Sequence, residues 1–341
     1  MKRIGFACKW METADLKKSK LIQETERTLN TSGTTVAWLN RQQKTVAEQK
    51  MFDVVKHNLS SVKAVLGRVS SLAPSLRMMR ISSDLLPMYT EPTWGYFYKD
   101  PDVLSHCEKE FADIGEFARK YDIRLSFHPG QFCVLASTDP DIVRRSIEEF
   151  EYHVDMARWM GYGSSWHDHG FKINVHISGR QGPQGILCAL AKMTPEARNL
   201  ITIENDENSW GLNDSLELKN DVALVLDIHH HWVREGEYIQ PTDNRVKCMV
   251  DSWRGVRPTL HYSVSREDLL LNHNTNALPD MQTLLTTGYK KAKLRAHSDD
   301  CWNNACNKWV LDFWSDADIM VEAKFKNISA NTLYQQAIQI P

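Results

Sequence analysis

Eight short segments with the pattern of β-strands run along this chain of 341 residues, and segments with helical periodicity lie between them. Some of the strand-like segments, such as FKINV and LITI, are nearly continuous in apolar residues, which is typical of parallel strands buried on both faces. Eight such strands alternating with helices predict a closed (β/α)8 TIM barrel, a fold of the α/β class. The predicted strands are RIGFAC (3–8), RMMRIS (77–82), IRLSFH (123–128), FKINVH (171–176), LITIEN (200–205), ALVLDI (223–228), TLHYS (259–263) and ADIMVEA (317–323).

The helical segments support the same fold. Apolar residues recur at three- and four-residue spacing over residues 46–69, 103–121 and 142–160. We expect the last of these helices to begin near Asp139, because Pro140 suits the first turn and acidic side chains suit the positive end of the helix dipole. The sequence has no repeat of fixed period, no low-complexity tract and no Gly/Ser linker, so we expect residues 1–341 to form a single barrel domain.

Three connections are longer than an evenly built barrel requires, and we expect them to be long loops over the C-terminal face. Residues 23–45 follow the first strand and are rich in Thr, Asn and Gln. Residues 83–101 carry five aromatic side chains, which either stack on nucleobases or pack against one another in a folded-back loop. Residues 263–297 contain the densest basic cluster, which is either a solvated helix face or a surface that contacts phosphates. The basic residues of this cluster are Lys290, Lys291, Lys293 and Arg295.

Charge and cysteine content limit the class of partner and the compartment. The formal net charge is −2, so nucleic acid would have to be bound through a local basic patch or through metal ions. The 7 cysteines are scattered, no apolar run comes near the ~20 residues of a membrane span, and we expect no secretory leader. We therefore expect a protein of the cytoplasm, or of the nucleus in a eukaryote, without membrane partners. A monomer is the expected state.

In six of the predicted strands, a short apolar stretch ends on a residue that can bind a metal ion. Side chains at the carboxyl ends of parallel strands meet at one mouth of a barrel, so we expect these six to converge. One histidine at a strand end is more often a hydrogen-bonded core residue, but six potential ligands at six strand ends favour a metal site. The six residues are His128, His176, Glu204, Asp227, His261 and Glu322.

Two further histidines fit the same mouth. His230 follows Asp227 by three residues, where the chain leaves the sixth strand, and His297 precedes the last predicted helix and strand. Imidazole and carboxylate ligands together suit Zn²⁺, Mn²⁺ or Fe²⁺ better than Mg²⁺ or Ca²⁺ alone. Two or three divalent ions held about 3.5–4 Å apart activate water and stabilise a leaving oxygen in phosphodiester cleavage. The pattern therefore favours a metal centre of several ions.

Around these residues the sequence resembles the ultraviolet-damage endonucleases, a metal-dependent branch of the barrel group that also contains endonuclease IV. The resemblance runs from RIGFAC to EAKFK, so it covers most of the chain. It implies a (β/α)8 barrel that nicks duplex DNA immediately 5′ to pyrimidine dimers and 6-4 photoproducts and leaves a 3′-hydroxyl and a 5′-phosphate. It also implies Mn²⁺ as the usual metal, with Zn²⁺ or Mg²⁺ as alternatives. The motifs that carry the resemblance are FHPGQF, NVHISG, ITIENDE, VLDIHHHW, RPTLHYS and IMVEAKFK.

The resemblance implies roles for individual residues. Glu204 would bridge two ions and, together with Glu322 and His261, carry catalysis. Gln131 and Phe132 would probe the duplex at the lesion. The implied ligand sets are His128, His176 and Glu204 for the first ion, Glu204, Asp227, His261 and Glu322 for the second, and His230 and His297 for the third.

Three positions depart from the family pattern. Phe132 and Phe6 stand where the family has tyrosines, so both keep a ring that can stack on DNA and lack the phenol hydroxyl. Thr259 stands where the family commonly has a lysine that can be carboxylated near the metals. Because Thr259 cannot carry that modification, we expect metal affinity, ion preference or lesion range to differ.

Other classes of protein share parts of this pattern. An enzyme resembling endonuclease IV would nick at abasic sites rather than at photoproducts, and a comparison of the two duplexes would separate these activities. A sugar isomerase or epimerase of the same superfamily would use similar ligands but would have no use for Gln131, Phe132 or the basic cluster. A catalytically silent DNA-binding module would bind damaged DNA without nicking it in Mn²⁺.

Overall fold

The computed structural model describes residues 1–15 and 17–339, and its centre is a sheet of eight strands. The strands are β1 (Ile4–Cys8), β2 (Met78–Ile81), β3 (Arg124–Phe127), β4 (Lys172–His176), β5 (Ile201–Glu204), β6 (Ala223–Val225), β7 (Thr259–Tyr262) and β8 (Asp318–Val321). Their order across the sheet is β6-β5-β4-β3-β2-β1-β8-β7, and the paired strands run parallel. All eight predicted strands are therefore confirmed, each shortened at one or both ends.

The backbone closes the sheet between its two edge strands. Asp227, just after β6, forms a parallel bridge with His261 of β7. The N–H of His261 donates to the carbonyl of Leu226 at 3.0 Å. Because this bridge joins the two edges that a flat sheet would leave open, the predicted (β/α)8 TIM barrel is confirmed.

Helices fill most of the connections around the barrel. They are α1 (Lys20–Leu29), α2 (Val36–Leu39), α3 (Lys44–Ser70), α4 (Pro101–Lys120), α5 (Pro140–Trp159), α6 (Gly182–Leu190), α7 (Pro195–Leu200), α8 (Leu212–Ser215), α9 (Ile228–Glu235), α10 (Asn244–Ser252), α11 (Met281–Thr286), α12 (Lys291–Leu294), α13 (Asn304–Leu311) and α14 (Asn327–Ala337). The predicted start of α5 is confirmed, because the Asp139 side chain accepts hydrogen bonds from the N–H groups of Asp141 and Ile142. The helices predicted over residues 46–69 and 103–121 correspond to α3 and α4.

Polar side chains occupy much of the barrel interior. Every second residue of a strand faces inward. Side-chain contacts between strands that are not neighbours identify these inward-facing residues. Arg124 of β3 reaches Asp318 of β8, and Lys172 of β4 reaches His261 of β7. Such pairs cross the inside of the barrel, so the interior is built largely from charged and hydrogen-bonding groups. The apolar core lies mainly between the outer strand faces and the helices.

A buried ionic cluster lies at the end of the barrel where the strands begin. The carboxylate of Asp318 is fully buried and accepts from Arg124 Nη1 at 2.8 Å and from Arg257 Nε at 2.7 Å. It also accepts from the backbone N–H of Arg3 at 2.8 Å. Three segments of the chain that are far apart in sequence therefore meet on one carboxylate at this end, opposite the mouth.

The long connections differ from the predicted loops. The prediction of a loop over residues 23–45 is wrong, because α1, α2 and the start of α3 occupy most of it. Capping stabilises these short helices: the side chains of Ser19 and Thr35 each accept a hydrogen bond from the first turn of α1 and α2. The aromatic connection over residues 83–101 folds back on itself, since Trp94, Phe97 and Tyr98 are buried. Within the described residues, no helix is both long and apolar enough to cross a bilayer.

Candidate metal centre

Six strands deliver potential ligands to the carboxyl end of the barrel. His176 and Glu204 are the last residues of β4 and β5 and stand opposite each other in the parallel register. His128 and Glu322 directly follow β3 and β8, and Asp227 lies two residues after β6. His261 is the third residue of β7. The predicted convergence of these side chains at one mouth is therefore what the fold produces.

Two groups of three side chains have ligand atoms close enough to share an ion. In each group the atoms lie within 4.8 Å of one another. Glu204 belongs to both groups: its Oε2 is 3.4 Å from His128 Nε2 and 3.1 Å from His261 Nδ1. One carboxylate therefore stands between two potential ion positions. The first group is His128, His176 and Glu204, and the second is Glu204, Asp227 and His261.

Glu322 contacts both the second group of ligands and an arginine side chain. Its Oε1 lies 3.2 Å from His261 Nδ1, and the same oxygen accepts a hydrogen bond from Arg80 Nη1. Arg80 is an inward residue of β2 that the sequence analysis did not single out. Its guanidinium supplies a positive charge beside Glu322, so this carboxylate is neutralised by the protein itself.

His230 and His297 lie beside these groups. The ring of His230 is 5.4 Å from the ring of His176 and 6.3 Å from the ring of His297, centre to centre. His230 Nδ1 is 3.6 Å from Glu204 Oε1. All eight predicted ligands therefore border one continuous cluster at the mouth.

The electrostatics of the cluster fit a cation site. Burial opposes the charged form of Glu204, yet His261 and His176 hold the pKa of that carboxyl well below its usual range. Burial, reinforced by Glu204 and Glu322, raises the pKa of Asp227 well above its usual range despite His230. Burial lowers the pKa of His128 to about 4, so this imidazole is neutral and its lone pair is free to coordinate. A divalent cation would relieve the repulsion among these carboxylates.

Unpaired buried atoms give a direct test of whether a metal fits. Among the described residues, His176 Nδ1, Glu204 Oε1 and Asp227 Oδ2 are buried and make no hydrogen bond. Leaving such atoms unpaired is costly, and native structures satisfy most buried polar groups. All three atoms belong to the predicted ligand set, and each is of a type that coordinates divalent ions. The buried His, Glu and Asp groups of this mouth can therefore hold a metal ion.

Hydrogen bonds behind the ligands orient them. Asn174 Nδ2 donates to Glu204 Oε2, and Thr202 Oγ1 holds the Asn174 oxygen at 2.7 Å. His128 Nδ1 lies 2.9 Å from the carbonyl of Pro129, which leaves Nε2 pointing at Glu204. Asn174 was not among the residues predicted from the sequence, although it lies two residues before His176 and therefore on the same inward face of β4.

A buried lysine also contacts the cluster. Lys172 is fully buried, and its Nζ lies 3.2 Å from His261 Nε2. Burial lowers the pKa of Lys172 to about 7. Thr259, where the resemblance led us to look for a lysine, is buried at the first position of β7. The lysine of this site therefore comes from β4 rather than from β7.

The three residues expected to contact the lesion differ in their exposure to solvent. Phe132 is 85% exposed, and the neighbouring Gln131 is exposed and lines a cavity beside His176. Both are free to meet a ligand above the mouth. Phe6 is only 1% exposed and packs edge-to-face on Trp10 with ring centres 5.9 Å apart. Its ring is part of the core, so this placement does not support direct stacking of Phe6 on DNA.

The basic cluster lies on and around α12 and is exposed. Lys293 and Arg295 line a cavity together with His230 and His297, so they border the metal cluster. Lys291 Nζ donates to the carbonyl of Arg234 at 2.5 Å. Lys290 is exposed at the residue before the helix. Two of the four basic residues are therefore close enough to the mouth to act together with the ligands.

Known proteins resemble this chain over most or all of its length. The family described as UV-endonuclease UvdE matches residues 2–339. A UV DNA damage endonuclease of Bacillus velezensis is 26% identical over 296 residues, which cover 81% of this chain and 79% of that protein. The fold matches the crystal structure of SacUVDE with a TM-score of 0.70 at 23% identity, over 100% of this chain and 98% of the other. Endonuclease IV from Thermus thermophilus shares the fold at a TM-score of 0.53 and 12% identity, over 82% of this chain and 95% of that one. The chain therefore belongs to the UV-endonuclease family of DNA repair enzymes that act on ultraviolet damage, and it is a nuclease that hydrolyses phosphodiester bonds in DNA.

Proposed function

We propose that this protein nicks duplex DNA immediately 5′ to ultraviolet photoproducts in a metal-dependent reaction that leaves a 3′-hydroxyl and a 5′-phosphate. The observation that carries the proposal is the position of Glu204 in two adjacent groups of three ligands. We further propose that one barrel domain spans residues 1–341, that the enzyme acts as a monomer, and that Mn²⁺ is the metal it uses. It would work where the DNA is, in the cytoplasm or, in a eukaryote, in the nucleus.

In the proposed reaction, the ions and the protein side chains would have different roles. Divalent ions bound at the two groups would lower the pKa of water and neutralise negative charge on the leaving oxygen. Glu204 would fix the separation of the two positions, while His261, buried between Glu204 and Glu322, would keep both carboxylates in place. Arg80, which lies on β2 two strands away from β8, would keep Glu322 oriented. Lys293 and Arg295 would attract the phosphate backbone to the mouth.

Lesion recognition would use the exposed residues above the ligands. A pyrimidine dimer stacks and pairs poorly, so it costs less to turn it out of the duplex than to turn out intact bases. Phe132 could then stack in the gap while Gln131 meets a base edge. A site that detects such deformability accepts lesions of different chemistry.

The test is cleavage of a duplex that carries one defined pyrimidine dimer, in Mn²⁺, with mapping of the cut and of its end groups. An undamaged duplex and an abasic duplex of the same sequence are the controls. We expect a single nick 5′ to the dimer, with a 3′-hydroxyl, and much slower cleavage of both controls. Preferred cleavage of the abasic duplex would replace this proposal with an activity like that of endonuclease IV. Tight binding of the dimer without a nick would indicate a silent binding module.

Mn²⁺ is expected to stabilise the folded protein, because the ligand groups exist only in the folded state. An ion present at 100 times its Kd adds about 2.7 kcal/mol to the free energy of unfolding. Thermal unfolding of metal-free protein, followed with and without Mn²⁺, measures this gain as a higher melting temperature. An unchanged melting temperature at millimolar Mn²⁺ would argue against a metal site in the mouth.

Replacement of Phe132 by Ala is expected to weaken binding of the lesion duplex without loss of stability. Base–aromatic stacking contributes about 1–3 kcal/mol, which is about a 5- to 150-fold change in Kd. Fluorescence anisotropy with dimer-containing and undamaged duplexes measures the effect. Ile338→Ala is the matched control, because Ile338 is 55% exposed but follows α14, which leads away from the mouth. Equal loss of affinity in both variants would contradict a role of Phe132 in lesion binding.

A further inference from the structure

A carboxylate outside the predicted ligand set divides the mouth into two cavities. Glu207 follows Glu204 by three residues, and its side chain is 12% exposed. A cavity of about 430 Å³ on one side is lined by Glu207, His230, Arg295 and His297 among others. A cavity of about 230 Å³ on the other side shares Glu207, His230 and Arg295. These three residues form the wall between the cavities.

His230 in this wall and His297 in the larger cavity are both oriented through Nδ1. His230 Nδ1 is 3.1 Å from the carbonyl of Asn205, and His297 Nδ1 is 2.9 Å from the carbonyl of Glu322. A carbonyl only accepts hydrogen bonds, so in each neutral ring Nδ1 carries the hydrogen. The lone pair of each neutral ring is therefore on Nε2, as in histidines that coordinate metals.

The two oxygens of Glu207 face different side chains. Its Oε2 is 3.7 Å from His230 Nε2, which places a carboxylate oxygen beside that nitrogen. Its Oε1 is 3.2 Å from Arg295 Nη1 and also accepts from Asn208 Nδ2 at 2.7 Å. The Arg295 side chain is half exposed, at 49%. A half-exposed ion pair is weak, so a divalent ion can displace the guanidinium.

We propose that Glu207 is the carboxylate ligand of a third divalent ion held with His230 and His297, and that Arg295 competes with this ion for Glu207. The inference deepens the proposed function, on which it rests, by adding a ligand and a competitor to the third position. Two imidazoles alone make a weak site, and a carboxylate supplies the negative charge that they lack. Occupancy of the third position then depends on whether Arg295 holds Glu207.

Mn²⁺ titration of the metal-free protein tests this without reference to nicking. Bound ions are counted by mass spectrometry of the metal after gel filtration, and affinities are followed by the electron paramagnetic resonance signal of free Mn²⁺. We expect three ions in the unaltered protein. In Glu207→Gln the weakest site should lose at least about tenfold in affinity. In Arg295→Ala the same site should tighten by roughly twofold to fivefold, because its competitor is gone.

Two controls match the changed residues. Arg266→Ala removes an arginine that lines the same cavity but pairs with Asp268, and Glu267→Gln removes an exposed carboxylate from the same connection. Both variants should leave the Mn²⁺ affinity of the third site unchanged. A loss of folding would weaken all sites, so tightening in Arg295→Ala is a result that damage to the protein cannot produce.

Each outcome has a distinct meaning. Three results would overturn the inference and leave the two-ion centre intact. They are a count of only two bound ions in the unaltered protein, an unchanged Mn²⁺ affinity of the third site in Glu207→Gln, and a weaker third site in Arg295→Ala. Binding of no Mn²⁺ at all would instead refute the metal-dependent function on which the inference rests.

Discussion

Replacement of Glu204 by Gln is expected to reduce nicking of a dimer-containing duplex by on the order of 10³-fold or more. Glu204 belongs to both ligand groups, so the loss of its charge weakens two ion positions at once. Gln has the same shape, and its amide oxygen can still accept from Asn174, so the fold should be retained. The defect is therefore expected in metal binding and catalysis rather than in folding.

Three measurements separate these effects. Circular dichroism and thermal unfolding check the fold of Glu204→Gln, Mn²⁺ titration counts its ions, and single-turnover cleavage measures the chemical step. Glu267→Gln, which changes an exposed carboxylate in the same way, should behave like the unaltered protein. Full nicking activity in Glu204→Gln with normal Mn²⁺ binding would remove the bridging carboxylate from the mechanism.

Replacement of Asp318 by Ala is expected to lower the free energy of unfolding by about 3–5 kcal/mol. The Asp318 carboxylate is fully buried and makes ion pairs with Arg124 and Arg257, and it also accepts from the backbone of Arg3. Its removal leaves the buried Arg124 guanidinium without its carboxylate partner, and an unpaired buried charge costs more than the pair contributed. The effect should appear in stability, because this cluster lies at the end of the barrel opposite the ligands.

Urea unfolding, followed by circular dichroism and by tryptophan fluorescence, measures the change. Asp316→Ala is the control, since Asp316 lies two residues earlier and is exposed, and it should change stability by no more than about 0.5 kcal/mol. If Asp318→Ala unfolds at the same urea concentration as the unaltered protein, the ionic cluster does not stabilise the barrel.

The strands and the main ligands could be predicted because their signals are local. Each of the six strand-end ligands closes an apolar run, and parallel strands bring their carboxyl ends together by geometry alone. His128, His176, Glu204, Asp227 and His261 could therefore be placed at one mouth from the sequence. Their grouping around Glu204 depends on strand register and needed the structure.

Contacts across the barrel could not be predicted in this way. Arg80 and Glu322 are 242 positions apart, and Lys172 and His261 are 89 positions apart. In the sequence, Arg80 and Lys172 simply interrupt apolar runs, and only the assembled sheet gives each a partner. Phe6 is a case of the opposite kind: the resemblance suggested a ring at the DNA, whereas in the structure the ring packs on Trp10 and is buried. The helices within residues 23–45 were predicted as a loop because the segment is polar. In such polar surroundings, the capping residues Ser19 and Thr35 look like ordinary loop residues.

The strand β8 carries Asp318 at its start and delivers Glu322 directly after its end. A slip of β8 by a single residue would turn both acids out of the barrel, because alternate residues of a strand face opposite sides. Assembly of the barrel in the wrong register would thus break the buried ionic cluster at one end and remove a carboxylate from the catalytic mouth at the other. A misaligned molecule would be both unstable and inactive, so correct closure and the capacity to cut DNA are acquired together.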